Sequence, residues 1–326
     1  EISFDVLSIN IGSQSPTPKN LEIKHGLGVK PIQTFQNRFQ DALNKMRIEG
    51  RPKRIAVVGA GAAGVEVILA TKHRLEDCSN ETRPLSHRYF LVSSGKSILS
   101  EQSGKTRQIF EKELKKNQIT LIQDFLVSSF ERNTASTKDG RSIAADIFLW
   151  ATGAVGPAWL KSSDLGITEE GFIRVKANLE SENFRNIFAA GDIAHVRNHI
   201  RPKSGVFAVR QGPALTANLR RALQNKPLKD FRPQKRALAM ISLGEKSAIA
   251  ATQFFTLKGS LVWRYKNFID KRFIKKYSDL KPMPMEKSSG AKAPQSPEMR
   301  CGGCGSKIGP NLLRQVLAGL PMMSSS

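Results

Sequence analysis

The chain has 326 residues, of which 40% are hydrophobic and 24% are charged, an ordinary composition for a globular protein with room for two domains. Three cysteines in this length exclude a small disulfide-stapled fold and favour a reducing compartment, so we predict a cytoplasmic protein. The sequence holds no apolar run long enough to span a bilayer.

The charge balance is strongly basic. Lysine and arginine together number 51 against 28 aspartates and glutamates, which gives a net charge of +23 and an isoelectric point of about 10.2. A field of this sign attracts nucleic acid, anionic lipid or phosphorylated cofactors. Because the basic residues are scattered rather than gathered in blocks, we interpret most of them as solvated surface charge and expect no specific nucleic acid partner.

The first fifty residues predict a strand and a helix. Residues 4–13 alternate roughly between apolar and polar side chains and end near a glycine, as a strand running into a turn does. Between residues 31 and 48, apolar residues recur at helical spacing, which predicts a helix. They are Ile32, Phe35, Phe39, Leu43 and Met46.

The most informative stretch runs from residue 54 to residue 70. A short β-branched strand leads into a G-x-G-x-x-G turn formed by Gly59, Gly61 and Gly64, and an apolar helix follows. The first glycine permits the tight turn, the second leaves room for a pyrophosphate, and the third lets the helix pack on the strand. The free N–H groups and the dipole of the helix favour phosphate there. This context predicts a dinucleotide-binding unit.

The next strand, predicted over 89–92, ends without the acid that usually binds the ribose 2′-hydroxyl of NAD. The residues at this place are Ser93, Ser94, Gly95 and Lys96. A contact between Lys96 and a 2′-phosphate would favour NADPH or loose discrimination. An exposed lysine without a ligand fits equally well, so both interpretations stay open.

Helices and strands continue to alternate after this loop. We predict a helix over 106–117, strands over 119–125 and 127–130, a hairpin turn at 139–140 and an apolar strand from 145 that ends at Gly153. The order fits a parallel sheet with a small antiparallel addition. Gly153 stands where the chain passes from such a domain into the neighbouring one, and it is a candidate cofactor-binding residue.

A second candidate site follows a buried strand over 186–190. Gly191 and Asp192 lie at its carboxyl end, where α/β sheets bind ligands. Because a buried acid needs a partner, Asp192 either accepts a hydrogen bond from a polyol hydroxyl or caps the following turn. A helix is predicted over 205–223, with its N-terminus available to an anionic ring. Its apolar face is expected to hold Val206, Val209, Leu215 and Leu219.

The C-terminal part mixes strands, a helix and a linker. Residues 240–244 and 248–251 predict a hairpin, and residues 261–280 predict a basic amphipathic helix that suits an anionic membrane surface. A helix docked on its own domain with a solvated basic face fits at least as well. Residues 281–298, rich in Pro, Ser and Lys, predict a linker. Beyond it, Cys301 and Cys304 lack a second ligand pair, so we predict no metal site.

Four motifs in this order resemble the pyridine nucleotide-disulfide oxidoreductases, and within them the type II NADH dehydrogenases: residues 9–12, 59–64, 151–153 and 190–192. The resemblance covers about residues 4–280. It implies an α/β flavoprotein with two Rossmann-like dinucleotide-binding domains and a C-terminal α+β region, FAD and NAD(P)H as cofactors, and hydride transfer through FAD to a small-molecule acceptor, either quinone or a selenium compound. A peripheral membrane location and a homodimer are compatible with it.

The resemblance also implies site residues. Asp192 would hold the ribitol and pyrophosphate of FAD, and the central glycine turn would hold NAD(P)H. Glu66 matches a family glutamate near the nicotinamide, and Gln211 lies in the segment that approaches the flavin ring and, in some members, a quinone. Hydride transfer requires donor and acceptor at about 3–3.5 Å and no general acid or base.

The N-terminal part of the sequence departs from the family's pattern. The family's first G-x-G-x-x-G, for the FAD adenosine, is missing, so we expect a fragment that binds FAD poorly or not at all. Residues 299–326 resemble the start of selenide, water dikinase (selenophosphate synthetase), in which Cys304 and Lys307 would be the catalytic pair. The complete fusion would then make selenophosphate.

The expected domains are 1–50 (remnant of the FAD domain), 51–153 (NAD(P) domain), 154–225 (FAD domain again), 226–280 (hairpin and basic helix), 281–298 (linker) and 299–326 (start of the selenophosphate synthetase domain).

Overall fold

The computed structural model describes residues 3–16, 26–77, 86–234, 238–252 and 255–278. Residues 1–275 form one compact unit, and the second unit, 276–326, is described only at 276–278. The expected linker and Cys301, Cys304 and Lys307 lie outside the described residues. In chain order the elements are β1 (Leu7–Ile9), β2 (Gly26–Gly28), α1 (Ile32–Glu49), β3 (Arg54–Val58), α2 (Ala62–Asp77), β4 (Arg88–Val92), α3 (Gly104–Lys116), β5 (Ile119–Ile122), β6 (Val127–Glu131), β7 (Thr134–Thr137), β8 (Ser142–Ala144), β9 (Ile147–Trp150), β10 (Ile173–Val175), β11 (Ile187–Ala189), β12 (Ala194–Val196), α4 (Gly205–Leu223), β13 (Ala239–Ser242), β14 (Ala248–Ala251), β15 (Thr256–Gly259) and α5 (Ser260–Ser278).

Five parallel strands form the central sheet in the order β2-β9-β3-β4-β5. Such sheets are covered on both faces, which explains why β3 is apolar throughout. Ile55 and Val57 pack in one core with α1, α2, α3 and the β13–β14 hairpin, whereas Ala56 and Val58 pack in another with β6, β7 and β8. The alternation of side chains along the strand therefore builds two cores from one segment.

The strands β6, β7 and β8 form the antiparallel addition expected from the sequence. Its β7–β8 turn contains Gly140, which has a φ of +86°. The ring of Phe130 meets Phe148 edge-on at 4.9 Å and Trp150 at 5.6 Å, centroid to centroid. These contacts fix the addition over one face of the central sheet.

A further core lies outside the central sheet. It is built by the parallel pairs β1–β11 and β10–β12 together with α4. Leu7 pairs with Ile187, so the first strand and a strand from the second half of the chain share one core. The five-stranded sheet is inserted in sequence between these two partners.

Helix α4 has the predicted bounds, but the predicted buried face is wrong in part. Val206 and Val209 are 45% and 39% exposed, whereas Gln211, Leu215 and Asn218 are buried. Residues 211, 215 and 218 share a face because they are spaced four and three apart. Two polar side chains on this face have backbone partners, which apolar periodicity does not reveal.

The C-terminal hairpin has a third strand, β15, that we did not predict, and α5 follows it directly. Leu261, Tyr265 and Phe268 share one face of α5 and are 75%, 58% and 58% exposed. On the other side of α5, Val262, Trp263 and Ile269 are half-buried, so the helix contacts the domain through these side chains while the first three remain exposed. Within the described ranges, no helix combines the length and the apolar character needed to cross a bilayer.

Candidate functional site

The three glycines of the turn after β3 play different parts. Gly59 has a φ of +110°, and a Cβ on it would lie 2.4 Å from the carbonyl oxygen of Ala151. A Cβ on Gly64 would lie 1.7 Å from the carbonyl oxygen of Gly59, whereas one on Gly61 would meet nothing within 4 Å. Two glycines thus permit close backbone packing, and Gly61 borders open space at the start of α2. This is the geometry that a pyrophosphate requires.

The ends of neighbouring strands meet beside this turn. The N–H of Gly59 donates to the carbonyl oxygen of Val92 at 2.9 Å, which joins the turn to the end of β4. Ala151, just after β9, lies close to both glycines. A Cβ on Gly59 would collide with its carbonyl oxygen, and a Cβ on Gly64 would lie 3.6 Å from its Cβ. Gly153 lies two residues further on, and a Cβ there would meet nothing within 4 Å. Its surroundings are therefore open.

Glu66 lies near the start of α2, but its described partner is part of the C-terminal sheet. Its carboxylate accepts a hydrogen bond from the backbone N–H of Ser242 in β13 at 2.7 Å. Burial raises the pKa of Glu66, and the hydrogen bond from Ser242 opposes that rise. No local pattern indicates this pairing, which spans 176 residues of sequence.

The loop after β4 holds Lys96 at the protein surface. Ser93 is buried, and its hydroxyl donates to the carbonyl oxygen of Ser97 at 3.2 Å and accepts from the N–H of Gly95 at 3.3 Å. The carbonyl of Lys96 accepts a hydrogen bond from the side-chain amide of Gln123. The backbone of this loop is thus fixed, while the Lys96 side chain is exposed.

Asp192 lies in a short 3-10 helix, Gly191–Ile193, after β11. Its carboxylate accepts hydrogen bonds from the hydroxyl of Ser13 at 2.9 Å and from the ammonium of Lys30 at 2.7 Å. Lys30 also donates to Ser13 at 2.9 Å. Neither Lys30 nor Ser13 was predicted as a partner of Asp192, because they lie 162 and 179 residues away in the sequence.

Gln211 supports the Asp192 turn from α4. Its side-chain carbonyl accepts a hydrogen bond from the N–H of Gly191 at 2.6 Å, and the residue is buried. Gly191 has a φ of +76°, and a Cβ on it would lie 2.6 Å from the side-chain oxygen of Asn10. Gly191, Asp192 and Gln211 are therefore brought together, along with the N-terminal strand.

A basic pocket opens beside this turn, at the N-terminal end of α4. Its polar lining includes Asp192, His195, His199, Arg201 and Lys203. Lys203 donates to the carbonyl oxygen of Ala194 at 2.6 Å and lies 4.0 Å from the ring centroid of Phe172. Burial lowers the pKa of Lys203 to about 8, and the nearby Asp192 carboxylate opposes this. The pocket suits a ligand with negative charge or electron-rich oxygens.

Most of the chain matches a known protein family. The match, to the pyridine nucleotide-disulphide oxidoreductases, covers residues 1–212. The chain belongs to the pyridine nucleotide-disulphide oxidoreductase family. The family consists of FAD-dependent NAD(P)H oxidoreductases, which confirms the predicted fold class, enzyme class and cofactors at the level of the family. The match leaves the resemblance of residues 299–326 to selenide, water dikinase as a prediction.

Curated relatives include a demethylphylloquinone reductase of Synechocystis, 26% identical over 265 residues, and a type II NADH:quinone oxidoreductase of Haemophilus influenzae, 25% identical over 293 residues. These matches cover 79% and 81% of this chain but 63% and 64% of the relatives, so the chain spans less than two thirds of their length.

Solved structures show the same fold at low identity. NDH2 of Plasmodium falciparum in complex with NADH aligns with a TM-score of 0.62 at 15% identity and covers 86% of this chain and 79% of that one. A sulfide:quinone oxidoreductase of Aquifex aeolicus aligns with a TM-score of 0.67 at 16% identity and covers 84% of this chain and 69% of that one. In the described residues of this chain, no group of three His, Cys, Asp or Glu side chains is placed to hold a metal ion.

Proposed function

We propose that this chain carries the nicotinamide nucleotide site and part of the flavin site of an FAD-dependent NAD(P)H oxidoreductase, with a quinone as electron acceptor. The observation that carries the proposal is the open space over Gly61, framed by two close-packed glycines at the start of α2. Two relatives, a demethylphylloquinone reductase and a type II NADH:quinone oxidoreductase, support the choice of acceptor. A selenium compound is the alternative acceptor.

The described residues can contact a part of each cofactor. When bound, FAD supplies the ring that accepts a hydride from the nicotinamide. The N–H groups at the start of α2 bind the pyrophosphate of the nucleotide, since Gly61 leaves the approach free. Asp192, held in place by Ser13 and Lys30, offers a carboxylate oxygen to a ribitol hydroxyl. The protein's contribution to hydride transfer is orientation and exclusion of water, so no residue has to carry a proton.

The test is the visible absorption spectrum of the purified chain, and of the longest natural protein that contains it, after incubation with FAD. For the longest natural protein we expect a bound flavin band that bleaches on anaerobic addition of NADH or NADPH, and for the purified chain a weaker band or none. The Asp192→Asn variant of the longer protein should lose FAD affinity while it remains folded, which a cooperative thermal unfolding transition checks. A folded longer protein that retains no flavin at saturating FAD would contradict the proposal.

We also propose peripheral binding of this protein to an anionic membrane through α5. The support is the exposed apolar face of Leu261, Tyr265 and Phe268 beside basic residues of the same helix, among them Arg264 and Lys271. A helix with an apolar face and a basic polar face lies in the plane of the membrane interface. Such a location would bring the flavin site close to a lipid-soluble quinone.

A second candidate function rests on the tail. Cys304 and Lys307 stand in a glycine-rich motif that resembles selenide, water dikinase, and on this resemblance we propose ATP-dependent selenophosphate synthesis as a second activity. The test follows selenophosphate by phosphorus NMR after selenide and ATP are added to the longest natural protein. We expect product from the parent and none from Cys304→Ala. If neither forms product, the tail has no such activity.

A further inference from the structure

The loop between β4 and α3 holds positive charge at the place where dinucleotide folds distinguish NADH from NADPH. In such folds a carboxylate at the end of the second strand binds the 2′-hydroxyl of NADH, and it would repel a 2′-phosphate. Here the first residue after β4 is Ser93, whose hydroxyl is already engaged with Gly95 and Ser97. The end of β4 therefore offers no carboxylate to the ribose.

Backbone contacts place this loop beside the pyrophosphate turn. The N–H of Gly59 donates to the carbonyl of Val92, and the N–H of Leu99 donates to the carbonyl of Ala60 at 2.8 Å. The loop is thus tied to the glycine turn at both of its ends. In a dinucleotide the adenosine ribose is joined directly to the pyrophosphate, so a nucleotide with its phosphates over Gly61 brings its ribose to this loop.

Two cations border the loop. The guanidinium of Arg107 donates to the hydroxyl of Ser97 at 3.1 Å, which holds this side chain against the loop. Arg107 lies near the start of α3, where no acidic residue occupies the first turn and Ser103 caps the helix. Lys96 is exposed within the loop itself. A guanidinium, an ammonium and a helix N-terminus are groups that bind phosphate in proteins, and all three border this loop.

Two acids have to be weighed against these cations. Glu101 lies in the loop itself, between Lys96 and Arg107, and is exposed. The N–H of Asp124 donates to the carbonyl of Gly95 at 3.2 Å, so its backbone also borders the loop. Neither acid stands at the end of β4, where dinucleotide folds hold the ribose.

We propose that Arg107 and Lys96 bind the 2′-phosphate of NADPH and that this chain selects NADPH over NADH. The inference rests on the proposed NAD(P)H site and adds its nucleotide specificity. Arg107 is the residue that sequence reasoning missed, because the helical pattern of α3 does not show that this guanidinium turns back to Ser97 in the preceding loop.

The test is isothermal titration calorimetry of the full 326-residue chain with adenosine 2′,5′-bisphosphate and, separately, with 5′-AMP. These two probes differ only in the 2′-phosphate. We expect the bisphosphate to bind about tenfold more tightly, the equivalent of one charge-assisted hydrogen bond. Arg107→Gln and Lys96→Ala should each weaken the bisphosphate several-fold and leave 5′-AMP within twofold.

Matched variants distinguish the effect of Arg107 and Lys96 from the effect of the protein's overall positive charge. Lys112→Ala removes an exposed charge further along α3 and should change neither affinity by more than twofold. Ser94→Glu places an acid at an exposed position of the loop and should abolish the preference for the bisphosphate. The melting temperature of each variant checks that it is folded.

The outcomes distinguish the inference from the function on which it rests. Equal affinity of the parent for both probes would overturn NADPH selection and leave the nucleotide site in place. If Arg107→Gln and Lys96→Ala both kept the full preference, the assignment of these residues would be wrong. If neither probe bound, the nucleotide site itself and the inference would fall together.

Discussion

Gly61 and Gly64 are two positions of one turn at which the same added methyl group has opposite consequences. A Cβ at position 64 collides with the backbone of Gly59, whereas a Cβ at position 61 enters open space. We predict that Gly64→Ala costs about 1–3 kcal/mol of unfolding free energy through overpacking. We predict that Gly61→Val keeps stability and weakens NADPH binding at least tenfold, because it fills the pyrophosphate space.

Urea unfolding and nucleotide titration of the two variants check this pair of predictions. Each variant is the control for the other, since one should lose stability and the other affinity. A Gly61→Val protein that unfolds at lower urea but binds NADPH normally would show that the turn has only a structural role.

Lys203 gives a prediction on pH. Burial lowers its pKa in the folded chain to about 8 from the ordinary 10.5. Between these two values the unfolded chain binds a proton that the folded chain does not, so the free energy of unfolding rises with pH in this window. In Lys203→Met this rise should be missing. Urea unfolding of the parent and of Lys203→Met at several pH values across the window measures this difference, with Lys112→Met as the exposed-lysine control. Parallel plots of unfolding free energy against pH for the parent and Lys203→Met would contradict the prediction.

At the scale of elements, Glu66 joins α2 to β13 through one hydrogen bond to a backbone N–H. Glu66→Ala would leave the N–H of Ser242 without this partner and should cost about 1–3 kcal/mol. Glu66→Gln keeps an acceptor oxygen and removes a buried charge. Its stability at neutral pH should therefore equal or exceed that of the parent.

The pH dependence of the same pair gives the check. Because burial raises the pKa of Glu66, the parent should lose stability relative to Glu66→Gln as pH rises from 4.5 through the raised value. Thermal unfolding at acidic and neutral pH measures the difference. If Glu66→Gln were as unstable as Glu66→Ala, the carboxylate would have a role beyond accepting this hydrogen bond.

Helix α5 is the element that we predict to contact the membrane. Leu261→Ser together with Phe268→Ser removes exposed apolar area and should reduce co-sedimentation with anionic phosphatidylserine vesicles several-fold. Trp159→Ser is the control, since Trp159 is exposed to a similar degree, 59%, outside α5. Equal loss in both variants, or no binding by the parent, would refute a specific role of α5.

At the scale of the whole molecule, local patterns predicted most elements and their order. The strand, glycine turn and helix around Gly59, the bounds of α4 and the antiparallel addition follow from periodicity and turn residues within short windows. The apolar face of α4 was mispredicted because Gln211 and Asn218 are buried by hydrogen bonds to distant backbone. Residues 279–326, which carry Cys304 and Lys307, lie outside the described ranges, so their predicted role stays a prediction.

The amino-acid sequence by itself determined the dinucleotide turn, the family motifs and the missing acid after β4, because each of these is written in consecutive residues. Only the tertiary structure decided the partners of the site residues. Lys30 reaches Asp192 across 162 positions, and Glu66 reaches Ser242 across 176. Such pairings depend on how sheets and helices pack, and a charged side chain carries no local mark of the distant group that neutralises it. Arg107 became a candidate for phosphate binding once its guanidinium was found to donate to the hydroxyl of Ser97 in the loop that leads into α3.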